Sequence, residues 1–147
     1  MALGSFGKLT IAHAILAVLL IIELGIVGWL VSVTWGVSQF HFQLFNCIWS
    51  ILVLLYVGIA PFVLPSIVVP LAALGVLVLT SLFWFAGSIA MAVWVGNFCG
   101  NWCPTAQAGA AFGFFIWVGF TALAVMEGLA WRRGGGSTKS TPSNPGV

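Results

Sequence analysis

Charge is what this sequence lacks most. Four Lys or Arg and two Glu are its only formally charged residues among 147, and there is no aspartate. A soluble domain carries about 25% charged residues; here the figure is 4%, against 62% hydrophobic. A chain of this length can bury an ordinary core, but it has too few polar groups to face water, so lipid is its expected solvent. The same scarcity excludes nucleic acid as a partner, because four dispersed basic side chains make no phosphate-binding patch.

Chemical signatures are missing too. The three cysteines, Cys47, Cys99 and Cys103, form no Cys-x-x-Cys pair. No Asn-x-Ser/Thr sequon and no cofactor motif occurs. His13 and Glu23 lie about 15 Å apart along one helix, by rise, too far to act as a catalytic pair. No metal-ligand cluster emerges, since two cysteines need further ligands and only His41 is nearby in topology. The expectation is a protein without cofactor, metal or enzymatic activity.

What is present is apolar sequence in bilayer-sized lengths. A spanning helix takes roughly 20 apolar residues, and four such stretches occur, at 11–33, 45–67, 71–95 and 108–131. The expected fold class is all-α, a polytopic bundle of four transmembrane helices. The first stretch exceeds 20 residues and contains Glu23, so it reads as a retained helix rather than a cleaved signal. Pro61 is expected to bend span two or loosen its end, and Pro65 and Pro70 bracket a tight turn into span three. Lys8 precedes span one, and Arg132, Arg133 and Lys139 follow span four, while 34–44 and 96–107 hold no Lys or Arg. The positive-inside rule then places both termini in the cytoplasm. The domain reading is a short N-terminal segment 1–8, a helical unit 9–133 and a tail 134–147. That tail is rich in Gly, Ser, Thr and Pro and lacks the apolar side chains to fold. Arg132 and Arg133 are expected beside anionic lipid headgroups, worth roughly 1 kcal/mol each.

The segment 34–44 reads as an outer loop, a short strand or an interfacial piece, with Trp35, Phe40 and Phe42 toward headgroups. In the second outer loop, Gly100 and Asn101 can turn the chain between Cys99 and Cys103, and a disulfide there would pin spans three and four. Two free interfacial thiols are the alternative. Cys47 reads as a small packing residue. Small residues let helices approach closely in lipid. Candidates are Gly109 and Gly113 in span four, Ala86 and Ala90 beside Gly87 in span three, and Gly25 and Gly28 in span one. The stripe from Gly109 continues through Ile116, Phe120 and Leu123 to Glu127.

Glu23 is the only formal charge within 11–33. A carboxylate at that depth costs several kcal/mol unless it is neutral, paired or wet. The expected arrangement is a protonated or hydrogen-bonded carboxyl facing the bundle, with Ser50, Tyr56, Thr80 and Ser88 as candidate partners. Asn46 and Gln107 are read as ordinary polar residues at the outer ends of their spans, and Glu127 as a structural group near the arginines.

The run Leu82-Phe83-Trp84-Phe85-Ala86-Gly87-Ser88-Ile89-Ala90-Met91-Ala92 resembles the third helix of the MARVEL-domain family. The run Ala106-Gln107-Ala108-Gly109-Ala110-Ala111-Phe112-Gly113-Phe114-Phe115-Ile116-Trp117 resembles the start of its fourth. The outer cysteines are similar to those of fungal members in particular. The resemblance implies four helices with cytoplasmic termini and a role in membrane apposition, sterol-rich microdomains, vesicle trafficking or junctions. Its implied partners are membrane lipids, sterols among them, and other membrane proteins or further copies of the chain, in the plasma membrane or endomembrane vesicles. It implies no catalytic residue. The Trp, Gly-Leu-Trp and Cys-Cys pattern of claudin-like proteins is absent. Three functional readings stand at this point: a membrane organiser, a small proton-coupled transporter or channel using Glu23, and an accessory subunit in which Glu23 meets a partner's cation.

Overall fold

The computed structural model describes residues 2–63, 70–98 and 103–134, all but a short connection of them helical. Four helices follow in order: α1 Ala2–Val33, α2 Ser38–Val63, α3 Pro70–Phe98 and α4 Cys103–Gly134. At 1.5 Å per residue they run about 39–48 Å, longer than a hydrocarbon core of about 30 Å, so their ends extend through the headgroup layers. A helix satisfies its own backbone donors and acceptors, which is why lipid selects it. Pro70 opens α3 and Pro104 is second in α4, positions where a missing N–H costs nothing.

The first connection is shorter than the sequence suggests. The Thr34 hydroxyl and amide both donate to the Leu30 carbonyl, at 2.5 and 2.9 Å, closing α1. Gly36 then takes φ +83°, the left-handed region open to glycine, and reverses the chain. The Val37 carbonyl accepts from the amides of Phe40 and His41, and α2 has begun at Ser38. The expected outer loop 34–44 is therefore corrected to a four-residue turn, because one glycine and two backbone caps suffice to reverse direction. Phe40 is corrected as well. It is fully buried, edge-on to Trp94 with ring centroids 4.8 Å apart, whereas Trp35 is 94% exposed. α2 continues through Pro61 to Val63, and the expected turn between Pro65 and Pro70 lies outside the described residues, as does the tail beyond Gly134.

The helices form a ring in which α1 packs on α2, α2 on α3, α3 on α4 and α4 on α1, with the α3–α4 seam the most extensive. Successive helices run antiparallel, so the start of α1 and the end of α4 share one end of the bundle. Leu16 meets Gly119, and ten residues further on Ile26 meets Gly109. The interior has two apolar clusters. One gathers Leu16, Leu20, Cys47, Val53, Leu77, Trp84, Ile116, Phe120, Leu123 and Ala124. The other gathers Leu30, Phe40, Met91, Ala106 and Ala110. Large apolar side chains such as Ile15, Ile21, Leu52, Leu82 and Phe115 point outward.

Candidate functional site

Between the two apolar clusters lies a polar layer to which all four helices contribute. Glu23 of α1, Gln43 and Asn46 of α2 and Ser88 of α3 are each fully buried. Gln43 Nε2 donates to Glu23 Oε1 at 3.3 Å. Asn46 Nδ2 donates to Gln43 Oε1 at 3.5 Å and to the Phe83 carbonyl at 3.1 Å. A chain of amide and carboxyl groups thus crosses from α1 through α2 to the backbone of α3.

Glycines make the room. A Cβ at Gly113 of α4 would stand 2.5 Å from Ser88 Oγ and 2.9 Å from Gln43 Nε2. One at Gly109 would stand 3.0 Å from Met91 Cε, 3.3 Å from Ile26 Cγ2 and 3.7 Å from Glu23 Oε1. One at Gly87 of α3 would collide with Gln43 Oε1 and stand 2.8 Å from Asn46 Nδ2. Among the described residues, Glu23 Oε2, Asn46 Oδ1 and Ser88 Oγ are buried with no hydrogen-bond partner.

The expected partners of Glu23 are thus corrected. Ser50 accepts from Trp84 Nε1 at 2.7 Å, and Thr80 accepts from Trp49 Nε1 at 3.0 Å while donating to the Val76 carbonyl. These hydroxyls serve the indoles of buried Trp84 and half-buried Trp49, which need an acceptor in an apolar interior. Gln43, missed because it was read as part of a loop, is the bonded partner. Asn46 is not an ordinary helix-end residue but an interior bridge. The signal that would have found both is their spacing from Ser50. Positions 43, 46 and 50 recur at three and four residues, one polar face of a helix.

The packing glycines divide similarly. Gly109 and Gly113 are buried against α1, α2 and α3. Ala86 is exposed and Ala90 only half-buried; Gly87 takes the inward position between them, because 100° per residue turns its neighbour away. Gly25 and Gly28 have nothing within 4 Å of a Cβ position, so they line no close seam inside the chain. Cys47 is a free thiol in the larger apolar cluster. Cys103 opens α4, with Gln107 Nε2 3.1 Å from its sulfur; Cys99 lies outside the described residues. Arg132 and Arg133 are exposed in the last turn of α4.

The layer holds a carboxyl among amides and a hydroxyl, with no nucleophile paired to a base. No group of three or more His, Cys, Asp or Glu able to hold a metal is found among the described residues. The layer's hydrogen bonds join α1, α2 and α3, and α4 packs on them through Gly109 and Gly113. All four helices are long and apolar enough to cross a membrane.

No curated protein and no solved structure matches the chain. Residues 6–126, most of its length, match MARVEL, a membrane-associating domain. The four spanning helices and this match agree: the chain belongs to the MARVEL family of multi-pass integral membrane proteins and has the non-enzymatic role in membrane organisation and trafficking typical of that family.

Proposed function

We propose that this protein organises membrane microdomains or trafficking vesicles through its outer surface, by contacts with lipids, sterols among them, and with other membrane proteins or further copies of itself. The observation that carries this reading is the direction of its side chains. The polar side chains at mid-depth, such as Glu23, Gln43, Asn46 and Ser88, are buried inside, while Ile15, Ile21, Leu52, Leu82 and Phe115 face outward. A surface of that kind recognises neighbours by shape and packing.

The unit 9–133 is the working part, with both termini cytoplasmic in the plasma membrane or endomembrane vesicles. The placement of Lys8, Arg132 and Arg133 toward one end of the bundle supports that orientation. Arg132 and Arg133 there contact lipid headgroups. On the opposite side Cys99 and Cys103, which resemble the outer cysteines of fungal members, form a disulfide. Purified protein in giant vesicles that separate into sterol-rich and sterol-poor phases is expected to concentrate in one phase. Equal distribution, together with unchanged membrane domains in cells lacking the protein, overturns the reading.

A second reading is favoured by one feature, the unpartnered Glu23 Oε2 inside the bundle. A carboxyl with a free oxygen can exchange a proton, as a proton-coupled transporter requires. Proton uptake by proteoliposomes that disappears in Glu23→Gln supports it; equal fluxes in both proteins exclude it.

A further inference from the structure

We propose that a hollow where the start of α3 meets the end of α4 binds the ammonium group of a phospholipid headgroup, with Glu127 as the anion and Trp131 as the aromatic wall. The hollow measures about 490 Å³ and is lined by Pro70, Glu127, Ala130, Trp131 and Gly134. This deepens the reading above, on which it rests, by naming the headgroup class that one end of the bundle takes.

Position comes first. Glu127 lies seven residues from the end of a helix about 48 Å long, so it sits about 10 Å inside that end, at the boundary between hydrocarbon and headgroups. Its neighbours come next. Trp131 follows four residues later and returns to the same face, whereas steps of 100° carry Arg132 and Arg133 to other sides of the helix. Among the described residues Glu127 forms no ion pair with either arginine, and its side chain is half-buried while the indole is 54% exposed. Both line one hollow. A carboxylate and a tryptophan that line one hollow can together hold an alkylammonium cation, by charge from the one and by the ring quadrupole of the other. The occupant is a bilayer phospholipid whose head ends in an ammonium group, choline or ethanolamine, and not one ending in uncharged glycerol. An uncharged glycerol head leaves Glu127 facing a net anion.

The test uses the full chain, purified in mild detergent and titrated with matched phosphatidylcholine, phosphatidylethanolamine and phosphatidylglycerol, with bound lipid read by native mass spectrometry. In an Arg132→Gln, Arg133→Gln background, which removes the attraction of the two exposed arginines for phosphatidylglycerol, the chain is expected to prefer the two ammonium lipids by about tenfold, the sum of one exposed ion pair and one cation–π contact. Glu127→Gln is expected to erase the preference, and Trp131→Leu to reduce it by about threefold, both with wild-type helical content. Equal or tighter binding of phosphatidylglycerol in the arginine-free background overturns the proposal, as does an unchanged preference when Glu127→Gln is added to it. Either result leaves phase partitioning in giant vesicles as a separate readout, so failure of this site is distinguishable from failure of the organiser reading.

Discussion

Gln43 Nε2 donates to Glu23 Oε1 across the α1–α2 interface, at 3.3 Å and with both residues fully buried. The only acid in the middle of a span is thereby answered by an amide rather than a cation. An amide can serve a neutral carboxyl without bringing a second charge into lipid, where charge is costly.

Gln43→Leu removes that donor and also the acceptor used by Asn46 Nδ2. Interhelical hydrogen bonds in membranes average below 1 kcal/mol, and a buried group left bare costs about 1–3 kcal/mol. The expected loss is about 1–2 kcal/mol in unfolding from bicelles. Glu23→Gln, which keeps size and polarity, is expected to cost less than Gln43→Leu. The reverse ranking would show that Glu23 is held by its charge.

Gly113→Ala places a methyl 2.5 Å from Ser88 Oγ and 2.9 Å from Gln43 Nε2. Overpacking of this kind costs about 1–3 kcal/mol, against a helix-propensity gain of about 1 kcal/mol. Gly25→Ala meets nothing within 4 Å and keeps only the gain. The two single variants should move the unfolding midpoint in opposite directions. Adding Ser88→Ala to Gly113→Ala should restore part of the loss.

Gly87 and Ala86 make a paired comparison on α3. Gly87→Ala must displace the amides of both Gln43 and Asn46, so the whole polar layer rearranges. Ala86→Leu projects into lipid from an exposed position. Retained monodispersity and stability are expected for Ala86→Leu, and loss of about 1–3 kcal/mol for Gly87→Ala.

Cys99 and Cys103 are expected to be joined, since the loop that holds them faces an oxidising side in the proposed orientation. Peptide mapping without reductant should recover the two cysteines linked, with Cys47 alkylated only after unfolding because it is buried and free. Alkylation of Cys99 in the intact, unreduced protein would count against both the bond and the orientation.

Much of the architecture was legible in composition. Four apolar stretches separated by turn residues leave lipid-spanning helices as the one arrangement that satisfies every backbone group. The stripe from Gly109 to Leu123 was legible through its spacing, and all five of its residues through Leu123 are buried. Span boundaries were harder to read. The polar residues interspersed through 38–44 made it look like loop, because hydropathy does not distinguish a residue turned to water from one turned into a bundle. Gln43 and Asn46 belong to the second kind.

The sequence by itself determined the solvent, the number of helices and the isolation of Glu23, because these depend on counts and on lengths set by the bilayer. Tertiary structure alone decided what Glu23 touches. A fully apolar environment penalises every unpaired polar group but does not say which one on another helix will approach. That depends on helix rotation and depth, which are set here by the three glycines that bring α3 and α4 against Gln43, Ser88 and Glu23.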